Sequence, residues 1–138
     1  MAGLGTHVPE TMLRAEDEDW GCDFYVVCLH NTRKRGEAAP SAFVTGKAKE
    51  IRFHMEDREH MLRAIRAVSK PCVAFKLYAG GQIFEGKTRE EKHEAAKNAL
   101  RETFEGIKPG DIAAIGCFQR DHDEMRESFE LAKSILSE

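Results

Sequence analysis

The residues of this 138-residue chain best suited to chemistry close short apolar runs. Lys76 stands inside Cys72-Val-Ala-Phe-Lys-Leu-Tyr78, where its ammonium must lie near a sheet interior or reach the rim on its stem. A lysine desolvated there has a lowered pKa and can act as a Schiff-base nucleophile, a general base or an anion ligand. The bland reading is an ion pair that fixes packing, and the residue type is compatible with both. His7, Cys28 and His30 also follow apolar runs. Neutral imidazoles at neighbouring strand ends can assist proton transfer or ligate zinc. Two histidines without a third ligand are more often rim hydrogen-bonding residues, so no metal is expected. His54, His60, His93 and His122 lie among charged neighbours and read as solvated.

An anion site has weaker support. Gly80 and Gly81 follow the run containing Lys76, and Gly116 lies in the last apolar run. Glycines permit positive φ and close approach of backbone amides to a phosphate, but an ordinary turn requires the same freedom. Arg33, first of the basic run Arg33-Lys34-Arg35, would supplement such a site if its loop folds over it; short basic runs are usually solvated faces.

Short apolar runs alternating with amphipathic segments must position these residues, a pattern that predicts βαβ units and a parallel α/β sheet. Asp23 to His30, Pro71 to Tyr78 and Asp111 to Phe118 are near-continuously apolar, as in strands covered on both faces; Ala2 to Thr6 reads as a short remnant strand. Helical faces follow: Met61, Ile65 and Val68 after Glu56; Ala95, Ala96, Ala99, Leu100 and Thr103 after Thr88; Met125, Phe129, Ala132 and Leu136 after Asp121. Pro9 begins a shorter helix through about Asp17. Thr88-Arg-Glu-Glu91 and Asp121-His-Asp-Glu124 have the form of capping boxes, and Gly106 with Pro109-Gly110 that of a helix stop. Asn31 to His54 has no sustained period and is too long for an ordinary connection, so it reads as a lid, an arm for a partner, or disorder.

Composition narrows the classes of partner. With 41% hydrophobic and 33% charged residues the chain has the balance of one folded domain spanning 1–138. A net charge of -3, from 21 basic and 24 acidic residues, favours neither nucleic acid nor an anionic membrane. No run approaches a membrane span and the N-terminus lacks the regions of a signal peptide, so a cytoplasmic location is expected. Cys22, Cys28, Cys72 and Cys117 form no C-x-x-C pair and read as reduced core thiols. Zincin, nucleophile-elbow, Walker A and dinucleotide motifs are absent, and no cofactor is identified.

Gly-Leu-Gly-Thr-His7-Val-Pro9, Asp23-Phe-Tyr25, Lys70-Pro-Cys-Val-Ala-Phe-Lys76, Ala79-Gly-Gly81, Ile107-Lys-Pro-Gly-Asp111 and Gly116-Cys-Phe carry a resemblance over nearly the whole chain. Together they resemble strands five to eight of an uncharacterised bacterial (β/α)8 TIM-barrel family, loosely similar to the aldo/keto-reductase and xylose-isomerase-like groups. The resemblance implies a (βα)4 half-barrel, with any site at the strand C-termini. Strand alternation places Lys76 on the same face as Cys72 and Ala74, opposite Val73, Phe75 and Leu77, and it enters the barrel mouth if those three pack on helices. Four strands cannot close a barrel, so the expectation is a homodimer that completes eight strands. A monomer covered by its own loop and an open flavodoxin-like sheet with helices on both sides are the alternatives. The abrupt start before Gly5 leaves open whether the chain is a natural whole or a piece of a longer barrel. Two functions are compatible with these residues. One is a self-associating scaffold or binding module; the other is an enzyme on a small polar or phosphorylated metabolite, with Lys76 as the reactive or charge-stabilising group, His7 and His30 assisting, and a small anionic ligand near Gly80, Gly81, Gly116 and Arg33.

Overall fold

The computed structural model describes residues 1–31, 52–120 and 122–138. Pro9 opens helix α1 (Pro9–Asp17), at a position where the absent amide has no partner to lose. Helix α2 (Asp57–Ala67) starts after Glu56, with Asp57 and Glu59 in the first turn favoured by the helix dipole. Helix α3 (Arg89–Gly106) carries the expected capping box: Glu91 N donates to Thr88 Oγ1 at 3.3 Å, and Thr88 N donates to the Glu91 carboxylate at 2.7 Å. Helix α4 (Glu124–Leu136) starts later than its sequence predicts. Its cap is Asp123, which accepts from Arg126 N at 3.1 Å, while Glu124 accepts from Phe118 N at 2.6 Å; Asp121, the first residue of the expected capping box, lies outside the described residues.

The stop of α3 also has a different cause from the one its glycine suggests. Gly106 is not left-handed; a Cβ there would come within 2.7 Å of Leu62, so the glycine allows α3 to approach α2 closely. The reversal into the last strand is made by Gly110, at φ 91°.

Strands β1 (Gly3–Thr6), β2 (Phe24–Cys28), β3 (Cys72–Phe75) and β4 (Ile112–Ala114) form one all-parallel sheet in the order β1-β2-β3-β4. The register sorts their side chains into two faces. Tyr25, Val27, Cys72 and Ala74 are fully buried and share a single core with Met12 and Ala15 of α1, Met61 and Ile65 of α2, Leu100 of α3 and Leu131 of α4. All four helices therefore cover the same face. The opposite face presents Gly3, Gly5, Phe24, Val26, Cys28, Val73, Phe75, Ile112 and Ala114; no described helix packs on it, but Cys28 at its C-terminal end is buried, Phe24, Val26, Val73 and Phe75 are half-buried, and Ile112 is exposed. Among the described residues the expectation of strands covered on both faces is met on one face only. A flavodoxin-like sheet, which needs a reversal of strand order and helices on both sides, is not what forms. No helix among the described residues is long and apolar enough to cross a membrane.

Two carboxylates tie the N-terminal end of this layer together. Glu16 of α1 accepts from Tyr25 Oη at 2.8 Å and from Ser69 N at 2.7 Å, joining helix, strand and the α2–β3 turn. Burial opposes ionisation of Glu16, but these hydrogen bonds outweigh it and hold the carboxyl below its usual range. Asp111, with its side chain 1% exposed, accepts from Cys72 N at 2.8 Å, Lys108 N at 2.8 Å and Lys108 Nζ at 3.0 Å. Lys108 Nζ donates in turn to Ile65 O at 2.8 Å. This knot fixes the entry of β4 beside β3. Asp111→Ala leaves a largely buried ammonium and two amides without their acceptor, and is expected to destabilise the fold by about 3 kcal/mol in denaturant titration with an unchanged m-value.

Candidate functional site

The C-terminal ends of β1, β2 and β3 bring several of the expected residues to one rim. His7 follows β1 and packs its ring edge-on against Phe75, with centroids 5.7 Å apart. Cys28 ends β2, is buried, and donates its thiol to His30 O at 2.9 Å. Lys76 follows β3 directly. Lys76 takes φ 62°, a left-handed conformation that ends the strand and breaks the alternation on which its placement was predicted. The condition for an inward-pointing lysine also fails, because Cys72 and Ala74 face the helices while Val73 and Phe75 face the open side. Lys76 is exposed, and its Nζ lies 5.6 Å from the centroid of the Phe53 ring, a cation–π contact.

The Lys76 charge acts on both His7 and Cys28. Desolvation, aided by the Lys76 charge, lowers the His7 pKa, so the imidazole is neutral at neutral pH. Burial raises the Cys28 pKa and outweighs the Lys76 ammonium, which alone would lower it; the thiol stays protonated. The rim thus holds an exposed cation, a neutral imidazole and an unreactive thiol. Among the described residues no group of three histidine, cysteine or carboxylate side chains is arranged to hold a metal, and the four cysteines are free.

The glycines divide. Gly80 and Gly81 lie in a 3₁₀ turn, Ala79–Phe84, with φ of 64° and 91°, so their positive φ is a requirement of the turn. Gly80 also carries the Phe53 ring 3.0 Å from where a Cβ would stand. This packing places Phe53 under Lys76, with Phe53 N donating to Gln82 Oε1 at 2.9 Å. Gly116 is exposed beyond β4, with no positive φ and open space around it, so nothing local demands a glycine there. Arg33 and the long segment that contains it, 32–51, lie outside the described residues; its base is closed by an antiparallel bridge between Asn31 and His54.

His30 is the largest departure from expectation. Rather than lining a wet rim it is 1% exposed, and neither ring nitrogen has a hydrogen-bond partner among the described residues. Burial, with the nearby Arg58 guanidinium adding to it, pushes its pKa down to about 4. Arg58 spans α2 and α3, donating to Thr103 Oγ1 at 2.9 Å and to Ala99 O. Sequence reasoning missed Arg58, Phe53 and Phe75. Only their types offered a signal, since their roles depend on contacts between distant segments.

Comparisons with protein families, with characterised proteins and with solved structures find no match. The functional reading therefore rests on this chain's own residues and topology.

The His30 burial has a measurable consequence. Its folded pKa of about 4 lies below the 6.5 of an unperturbed imidazole, so the unfolded chain takes up the proton first as pH falls. Stability is complete above pH 6.5 and is lost between 6.5 and about 4. With allowance for solvent at the rim, the loss from pH 7 to 5 is about 1–2 kcal/mol, with a smaller contribution of the same sign from His7. Chemical denaturation at both pH values is expected to show this loss in the native chain and a smaller one in His30→Leu.

Proposed function

We propose that the chain is a half-barrel scaffold that self-associates, two (βα)4 halves forming one TIM-barrel-like dimer. The single observation that carries this reading is the sheet face on which no described helix packs. The half-buried Phe24, Val26, Val73 and Phe75 form with Ile112, which is 57% exposed, an apolar surface across the sheet. An apolar patch of this kind marks an interaction surface, and an all-parallel sheet is normally covered on both faces. The consecutive strand order with every helix on one side is the arrangement of a barrel segment, whose inner face is this one. The absence of described charged groups from the strand residues of that face favours packing over aqueous chemistry inside it.

The second reading is an enzyme acting on a small anionic metabolite at the strand C-termini. The convergence of His7 and Lys76 on Phe75 and Phe53 supports it, since the cation has no described carboxylate partner and stands beside a neutral imidazole. Paired halves would place two such rims around one mouth. Self-association is therefore the first condition of either function.

A folded state completed by a second copy melts at a temperature that depends on protein concentration. The Tm of the chain is expected to rise across a hundredfold increase in concentration (about two decades suffices). Val26→Glu, which puts a carboxylate on the open face, is expected to abolish that dependence while leaving the far-ultraviolet circular dichroism intact. A concentration-independent Tm in the unsubstituted chain overturns the reading.

A further inference from the structure

Helix α4 carries the apolar stripe Met125, Phe129, Ala132 and Leu136 that its sequence directs inward, yet the chain leaves most of that stripe uncovered. Met125, Phe129 and Leu136 are 61%, 68% and 67% exposed, and Leu131 is the only buried residue of the described helix. Helix α1, which follows β1, also bonds the next strand: Glu16 accepts from Tyr25 Oη of β2. Helix α4 follows β4, the edge strand, so the strand that belongs beside β4 and beneath α4 is missing from the described chain. A groove of about 640 Å³ stands at that position, lined by Phe104 of α3, Ala113 and Ile115 of the β4 run, and Met125, Phe129 and Ala132 of α4.

We infer that this groove receives strand β1 and helix α1 of a second copy, so that the dimer closes through two identical β4–β1 seams, each roofed by α4. The inference rests on the self-association proposed above and names its contact. Three features select this occupant. Among the described residues the sheet has two unpaired edges, β1 and β4, both parallel in sense, and a twofold axis along the strand direction brings each against the other's copy while keeping every strand parallel. The edges differ in length by a single residue, four in β1 and three in β4. Leu4 and Thr6 of β1 point to the helix-covered side, so in the pair they would lie beneath the partner's α4, as Tyr25 and Val27 lie in the helix-facing core of their own chain. The groove is also continuous with the open sheet face through β4: Ile112 and Ala114 lie on the open side, and Ala113 on the groove side.

Hydrophobic pockets of this kind concentrate the energy of an interface in a few large apolar side chains, and a carboxylate placed in one is desolvated without a partner. Met125→Glu and Phe129→Glu are exposed in the single chain and so are expected to leave the monomer folded, as judged by circular dichroism. Sedimentation equilibrium on the 138-residue chain is expected to show dimer association weakened by about a hundredfold or more in each. Lys92→Glu, on the exposed face of α3, is expected to change nothing. Hydrogen exchange supplies a second readout that needs no substitution: the amides of 3–6 and 112–114 should gain protection together as the protein is concentrated through its dissociation midpoint. A dimer broken by Val26→Glu but unaffected by both α4 substitutions, with edge amides that exchange at the same rate at all concentrations, overturns the seam and leaves self-association standing. A chain monomeric at every concentration overturns both.

Discussion

Right-handed crossovers between consecutive parallel strands put every helix on the same side of a sheet, and this one constraint governs the rest of the molecule. With the order β1-β2-β3-β4 and no reversal, α1 to α4 share one core against Tyr25, Val27, Cys72 and Ala74. The same geometry leaves Phe24, Val26, Val73, Phe75 and Ile112 without a described helix over them. Fully burying an exposed side chain of this size is worth about 1.5–3 kcal/mol, and the half-buried members of this face would contribute less, so the proposed association draws most on Ile112. The two knots centred on Glu16 and Asp111 hold the layer rigid at the other end of the strands, which keeps the open face a defined surface.

The elements legible in the sequence are those whose signals are local. Pro9 and the pair Thr88 and Glu91 specify helix starts through bonds made within a single turn, and both helices begin where those residues predict. The three apolar runs become strands, although each is trimmed. In β3 the cause is Lys76, whose left-handed backbone turns the chain immediately after Phe75. Period-two reasoning cannot detect that turn, because a non-glycine residue gives no warning of a positive φ. The condition for an inward-pointing Lys76 fails for a second reason: alternation says which residues share a side, but only the helices decide which side is inside, and they cover Cys72 and Ala74.

The candidate site was legible in its location and not in its chemistry. His7, Cys28 and Lys76 do gather at the strand C-termini, where parallel α/β folds place their sites. Their states depend on contacts from afar: Phe53, brought in by Gln82 and Gly80, lies beneath the Lys76 ammonium, and Arg58 shares the surroundings of a buried His30. The stripe on α4 is the converse case. There the period was correctly read and the single chain fails to bury it, which turns a sequence pattern into information about what must lie next to the helix.

The central claim, that a second copy covers the open sheet face, is tested most directly by the mass of the chain in solution, measured by light scattering across a dilution series. The account gives a species of twice the 15.6 kDa chain mass that dissociates only at high dilution. A mass of 15.6 kDa at every concentration, with the protein folded, would contradict it.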